Sequence, residues 1–73
     1  MVKIKLFSPL SEKLGFKEKE ISINKKITVR EIPELSSVDL NGYIILVNKR
    51  IASLDTEIDN ADEIWILPYV EGG

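Results

Sequence analysis

Asp59-Asn60-Ala61-Asp62-Glu63-Ile64-Trp65-Ile66-Leu67-Pro68 is the stretch on which the architecture turns. Its first four residues carry turn chemistry, because Asn and Asp side chains hydrogen-bond their own backbone and tolerate tight conformations. Glu63 to Leu67 then reads as a strand, and Pro68, which has no amide hydrogen, should end its pairing. Alternation places Ile64 and Ile66 on one face and Trp65 and Leu67 on the other.

Working outward, Val2-Lys3-Ile4-Lys5-Leu6-Phe7 has the same period of two, with Val2, Ile4 and Leu6 toward a core and Lys3, Lys5 and Phe7 opposite. Phe7 breaks the polar side of that alternation, which suits a sheet edge or a contact surface. Ser8 to Gly15 predicts one or two helical turns, with Ser8 as cap, Pro9 at the first helical position, Leu10 and Leu14 on the buried side, and Gly15 as the left-handed stop. Glu20 to Asn24 alternates again and predicts a second strand.

Thr28-Val29-Arg30-Glu31 is a capping-box sequence, so a helix should open there with Val29 and Ile32 inward. Pro33 removes a helical hydrogen bond and clashes with the preceding turn, at a cost of about 3 kcal/mol or more. The helix is therefore expected to be short, kinked or restarted near Pro33, with a loop from Ser36 to Gly42. Tyr43-Ile44-Ile45-Leu46-Val47 is a continuous apolar run, the signature of a covered strand or of one with an exposed apolar face. Asn48-Lys49-Arg50 predicts a turn and Ile51 a short return strand, while Leu54 and Ile58 are isolated apolar anchors. The order is β-β-α-β-β with a final strand. Placing the first and last strands side by side in parallel buries both. Periodicity alone supports an α+β class and no specific topology.

The chain of 73 residues predicts one domain, of a size that buries only about 60% of its unfolded surface. It has no Cys and no His, so disulfides, zinc-finger spacings, Cys or His nucleophiles and a His general base are excluded. An autonomous enzyme is not expected, nor is a metal site. A formal charge of -2 with interspersed signs argues against nucleic acid as the main partner. Lys13, Lys17, Lys19, Lys25 and Lys26 are diluted by Glu12, Glu18 and Glu20 and read as a solvated surface. So do the acids Asp55, Glu57, Asp59, Asp62 and Glu63, although they could meet a basic partner. No apolar run is long enough to span a membrane and none resembles a signal peptide, so a cytoplasmic protein without membrane association is expected.

The segment Ile45-Leu46-Val47-Asn48, followed by Leu54 and by Asp59 through Gly73, resembles the sulfur-carrier branch of the ubiquitin superfamily. The similarity is greatest to the small subunit of molybdopterin synthase (the MoaD type), and smaller to the thiamine-pathway carrier ThiS and to archaeal small modifier proteins. These families end in acid–acid–apolar–x–apolar–x–Pro–x–x–x–Gly–Gly, which here is Asp62-Glu63-Ile64, Ile66, Pro68 and Gly72-Gly73. The Thr-Val opening of the helix and Phe7 at the end of the first strand also match. The chain departs from the pattern at Lys49 and Ala61, where Gly is usual, at Tyr69, where a second Pro is common, and at Pro33, which shortens a normally longer helix.

The resemblance implies a β-grasp, or ubiquitin-like, roll: a mixed sheet with one main helix packed across it, over residues 1–68. Residues 69–73 would form a flexible tail ending in Gly-Gly. It implies a sulfur carrier that binds no cofactor. The terminal carboxylate of Gly73 would be adenylated by an ATP-dependent, ubiquitin-activating-type enzyme (MoeB-like) and converted to a thiocarboxylate. The sulfur would then pass to a pterin precursor held by the large subunit of molybdopterin synthase (MoaE-like). Alternatives within this chemistry are delivery to thiamine or tRNA, or conjugation of Gly73 to a substrate lysine. A plain interaction domain with an inert tail is the remaining alternative.

Glycine lacks a Cβ, so Gly72 allows close approach in a narrow channel and Gly73 presents the reacting carbonyl. The plain alternative for that pair is a frayed chain end. Pro68 would stiffen the base of the tail, and Tyr69, Val70 and Glu71 would be read by the activating enzyme, with solvation the alternative for Glu71. Ile44, Leu46, Trp65 and Leu67, extended by Phe7, would form an exposed apolar partner surface, unless the chain itself or a dimer covers them.

Overall fold

The computed structural model describes residues 1–69. Strand β1 (Val2–Leu6) lies parallel to strand β7 (Glu63–Pro68), with Ile4 level with Ile64 and Leu6 level with Ile66. Strand β2 (Glu18–Ile21) pairs antiparallel with β1, and strand β4 (Tyr43–Val47) antiparallel with β7. Strand β5 (Arg50–Ala52) returns along β4, giving one mixed sheet in the order β2-β1-β7-β4-β5. A second, two-stranded sheet joins β3 (Ile27–Thr28) to β6 (Glu57–Ile58). This is the β-grasp arrangement, of α+β class, that the resemblance implies.

The central parallel pair exists because its inward residues have nowhere else to go. Val2, Ile4, Ile64 and Ile66 all have 0% exposure, and Leu6, Ile45 and Ile58 join them in a single core. Each such side chain removed from water contributes about 1.5–3 kcal/mol.

Val29, Ile32 and Leu35 close the core from the other side, spaced by three residues. That spacing matches the 3₁₀ period, and the element crossing the sheet consists of two 3₁₀ turns, Val29–Glu31 and Pro33–Leu35. The expected main helix is therefore replaced by a broken pair of turns, restarted at Pro33. Proline disfavours the helical region for the residue before it, and Ile32 is extended (φ -67, ψ 118). The capping box is present: the Thr28 amide donates to Glu31 Oε1 at 2.8 Å. That bond first, and the Thr28 hydroxyl second, hold the Glu31 carboxyl below its ordinary range.

The α-helix α1 spans Leu10–Leu14 and stops at Gly15, whose φ is 83°. Ser8 does not cap it, as its Oγ instead donates to the Glu12 carboxylate at 2.8 Å. Pro9 occupies the cap position, so the helix begins one residue later than expected, and the Glu12 and Lys13 amides both reach the Pro9 carbonyl.

The second strand also differs from expectation. It covers Glu18–Ile21 and not Glu20–Asn24, for two reasons. Ile21 is already level with Val2, where β1 begins. Beyond it, the Asn60 side chain takes up the backbone of Ile23, accepting from its amide at 3.1 Å and donating to its carbonyl at 2.8 Å.

Candidate functional site

The outward face of the large sheet collects the residues that the core does not use. Cross-strand register places Leu46 level with Trp65 and Ile44 level with Leu67. Next to them on β5, Ile51 is level with Leu46. On the other side of β7, Lys5 is level with Trp65, and the Phe7 amide donates to the Ile66 carbonyl. The Phe7 and Trp65 rings meet at 5.9 Å between centroids with a 58° tilt.

Five of the expected partner residues, Phe7, Ile44, Leu46, Trp65 and Leu67, are thus brought onto one face. Each is half-buried and not fully exposed, because neighbours on adjacent strands cover part of every side chain. Pro68 is the last residue of β7 and lies level with Tyr43, so the proline ends the strand as expected. Tyr69 follows it with 62% exposure. Val70, Glu71, Gly72 and Gly73 lie outside the described residues.

Trp65 is held firmly. Its indole N–H donates to Glu63 Oε2 at 2.9 Å, two residues back on the same face of β7. A buried or half-buried Trp needs such a partner. The hairpin beside it is also fixed, since the Glu63 amide donates to Asn48 Oδ1 at 3.0 Å and Asn48 Nδ2 donates to Asp62 at 2.9 Å.

Two members of this face carry no role in the sequence reading. Ile51 is 80% exposed at the sheet edge, and Lys5 lies with its ammonium over the Trp65 ring (5.2 Å) and the Phe7 ring (5.8 Å). Alternation along residues 2–7 gives the side of the sheet on which Lys5 lies. What that alternation lacks is the register to Trp65, which is a tertiary property.

Among the described residues no group of three or more acidic, His or Cys side chains could hold a metal ion. No helix there is long and apolar enough to cross a membrane. The arrangement supplies an apolar platform leading to the end of β7.

Comparison with known proteins agrees with this geometry. SAMP1 from Haloferax volcanii superposes with a TM-score of 0.74 at 23% identity, covering 99% of this chain and 98% of that one. A Pyrococcus furiosus protein assigned as molybdopterin converting factor subunit 1 gives 0.75 at 25% identity, covering 94% and 97%. A complex of subunits 1 and 2 of the molybdopterin-converting factor from Helicobacter pylori gives 0.58 at 24% identity, covering 99% and 97%. No curated protein sequence matches the chain. The ThiS family model matches residues 4–73, from the middle of β1 through β7 to Gly72-Gly73. The fold is the ubiquitin-like β-grasp that these structures share, and by the family match the chain belongs to the ThiS family.

Proposed function

We propose that this protein is a sulfur carrier acting through the carboxylate of Gly73, and that it serves as the small subunit of a molybdopterin synthase in molybdenum or tungsten cofactor biosynthesis. The observation that carries this reading is the family match that continues past the central strand, which ends at Pro68, through Tyr69-Val70-Glu71 to Gly72-Gly73. The likeness to the Pyrococcus and Helicobacter converting-factor subunits favours the pterin pathway and a large-subunit partner.

A carboxylate is a poor electrophile and must be activated. A Gly73 oxygen would attack the α-phosphorus of ATP on an activating enzyme, with pyrophosphate leaving. A sulfur nucleophile at the hydrosulfide level would then displace AMP and leave a thiocarboxylate. In this scheme the folded body is the handle and the partners supply the catalysis and the ATP site. The outward face around Trp65, with Pro68, Tyr69, Val70 and Glu71, would be the surface by which those partners hold it.

The likeness to SAMP1, a small archaeal modifier protein, favours a second reading, in which Gly73 forms an isopeptide bond with a substrate lysine. Intact mass after incubation with the cognate activating enzyme, ATP and a sulfur source separates the two. Exchange of one oxygen for sulfur on Gly73 is the expected result. Covalent adducts through Gly73 would replace it with the modifier reading, and an unchanged mass would leave only an interaction domain. Sulfur delivery to thiamine or tRNA would appear as a thiocarboxylate that the molybdopterin synthase large subunit fails to discharge.

A further inference from the structure

The outward face has a charge at its middle. Across the sheet at one level run Glu18, Lys5, Trp65, Leu46 and Ile51, so that Lys5 stands where the apolar half of the face meets the charged half. Its ammonium is laid over two aromatic rings, and the Trp65 ring is itself anchored by Glu63. The acids nearest in the sheet are Glu18, level with Lys5, and Glu20 and Glu63, level with Lys3. None of them closes an ion pair with Lys5: the ion pair among the described residues joins Arg30 to Asp55.

We infer that this face is built for a partner protein that is apolar opposite Leu46, Ile51 and Leu67 and that places a carboxylate against Lys5. The inference rests on reading the face as the docking surface of the carrier and adds the chemistry of what docks there. A flat apolar partner covering Trp65 would strip water from the Lys5 ammonium. Ring faces alone recover only part of that loss, and a buried charge is tolerated when it is paired. A carboxylate on the partner restores the pairing and makes Lys5 a determinant of which surfaces can dock. A basic or purely apolar surface is rejected by the same geometry.

The test is calorimetric binding of the purified chain to the activating enzyme and to the molybdopterin synthase large subunit of the same organism. It compares wild type with Lys5→Arg, Lys5→Met and Lys5→Glu, each checked for an unchanged thermal midpoint. For at least one partner, Lys5→Met should weaken binding about 10-fold and Lys5→Glu about 100-fold or more, with Lys5→Arg within about 3-fold of wild type. The wild-type affinity should fall with added salt more steeply than that of Lys5→Met. Exchange of the facing partner carboxylate for lysine should restore the Lys5→Glu variant.

Equal or tighter binding by Lys5→Met, with the same salt dependence, would overturn the inference and leave the carrier reading in place. A wild-type self-dimer that Lys5→Glu dissociates would also overturn it, by assigning the face to a second copy. Failure of the wild-type chain to bind either protein would overturn the carrier reading itself.

Discussion

Asn48 grips the start of the last strand, accepting from the Glu63 amide through Oδ1 while its Nδ2 donates to Asp62. The same residue has a φ of 53°, and Lys49 after it a φ of 68°, so the β4–β5 turn places two non-glycine residues in the left-handed region. Asn accepts that conformation readily, but Lys does not. Lys49→Gly should therefore stabilise the protein by about 0.5–1 kcal/mol, read as a raised denaturant midpoint at constant m-value. Asn48→Ala should destabilise by about 1–3 kcal/mol, since it also leaves the Glu63 amide without that partner.

Inward and outward residues of the large sheet, Ile64 on β7 and Ile51 on β5, should differ in their response to truncation. Ile64 is fully buried between β1 and β4, and Ile64→Ala is expected to cost about 2–5 kcal/mol. Ile51→Ser, at the exposed edge, should stay within about 0.5 kcal/mol of wild type. Paired denaturation curves check both. A large loss at Ile51 would mean that the edge is covered in solution.

The capping box makes a pH prediction. Glu31 is held below its ordinary pKa in the folded chain, chiefly by the Thr28 amide, so its contribution is fully present above the unfolded carboxylate range. It is lost as pH falls through the lower, folded value. Wild type should exceed Glu31→Gln in stability at neutral pH, with the gap closing in acid, as measured by thermal melts of both from neutral pH downward. Thr28→Ala should cost about 1 kcal/mol at neutral pH.

Removal of Gly72-Gly73 should abolish thiocarboxylate formation and leave the thermal midpoint in place, because chain ends beyond a domain's strands contribute little to its stability. Retained sulfur incorporation after that deletion would refute Gly73 as the acceptor.

The strands with alternating residues were legible in the sequence because burial enforces the period: Val2, Ile4 and Leu6, then Ile64 and Ile66, all lie inward. Pro33 likewise announced a restart, and Ile32 supplies it. What stayed hidden depends on distant partners. The end of β2 is set by the Asn60 side chain, and the β3–β6 pair joins residues about thirty positions apart that show no strand pattern of their own. The outward apolar residues were identifiable by phase alone. Lys5 gained meaning only from the register that carries it to Trp65.

The position of β7 has a consequence for synthesis. It is the strand that joins β1 to β4, so a nascent chain lacking residues 63–68 holds two separate hairpins with no common neighbour. Its most apolar surfaces stay open to solvent or to chaperones until translation has passed Pro68. The sheet can therefore close only after residues 63–68 have left the ribosome, and a product that stops before Glu63 should be removed as unfolded before any enzyme can use it.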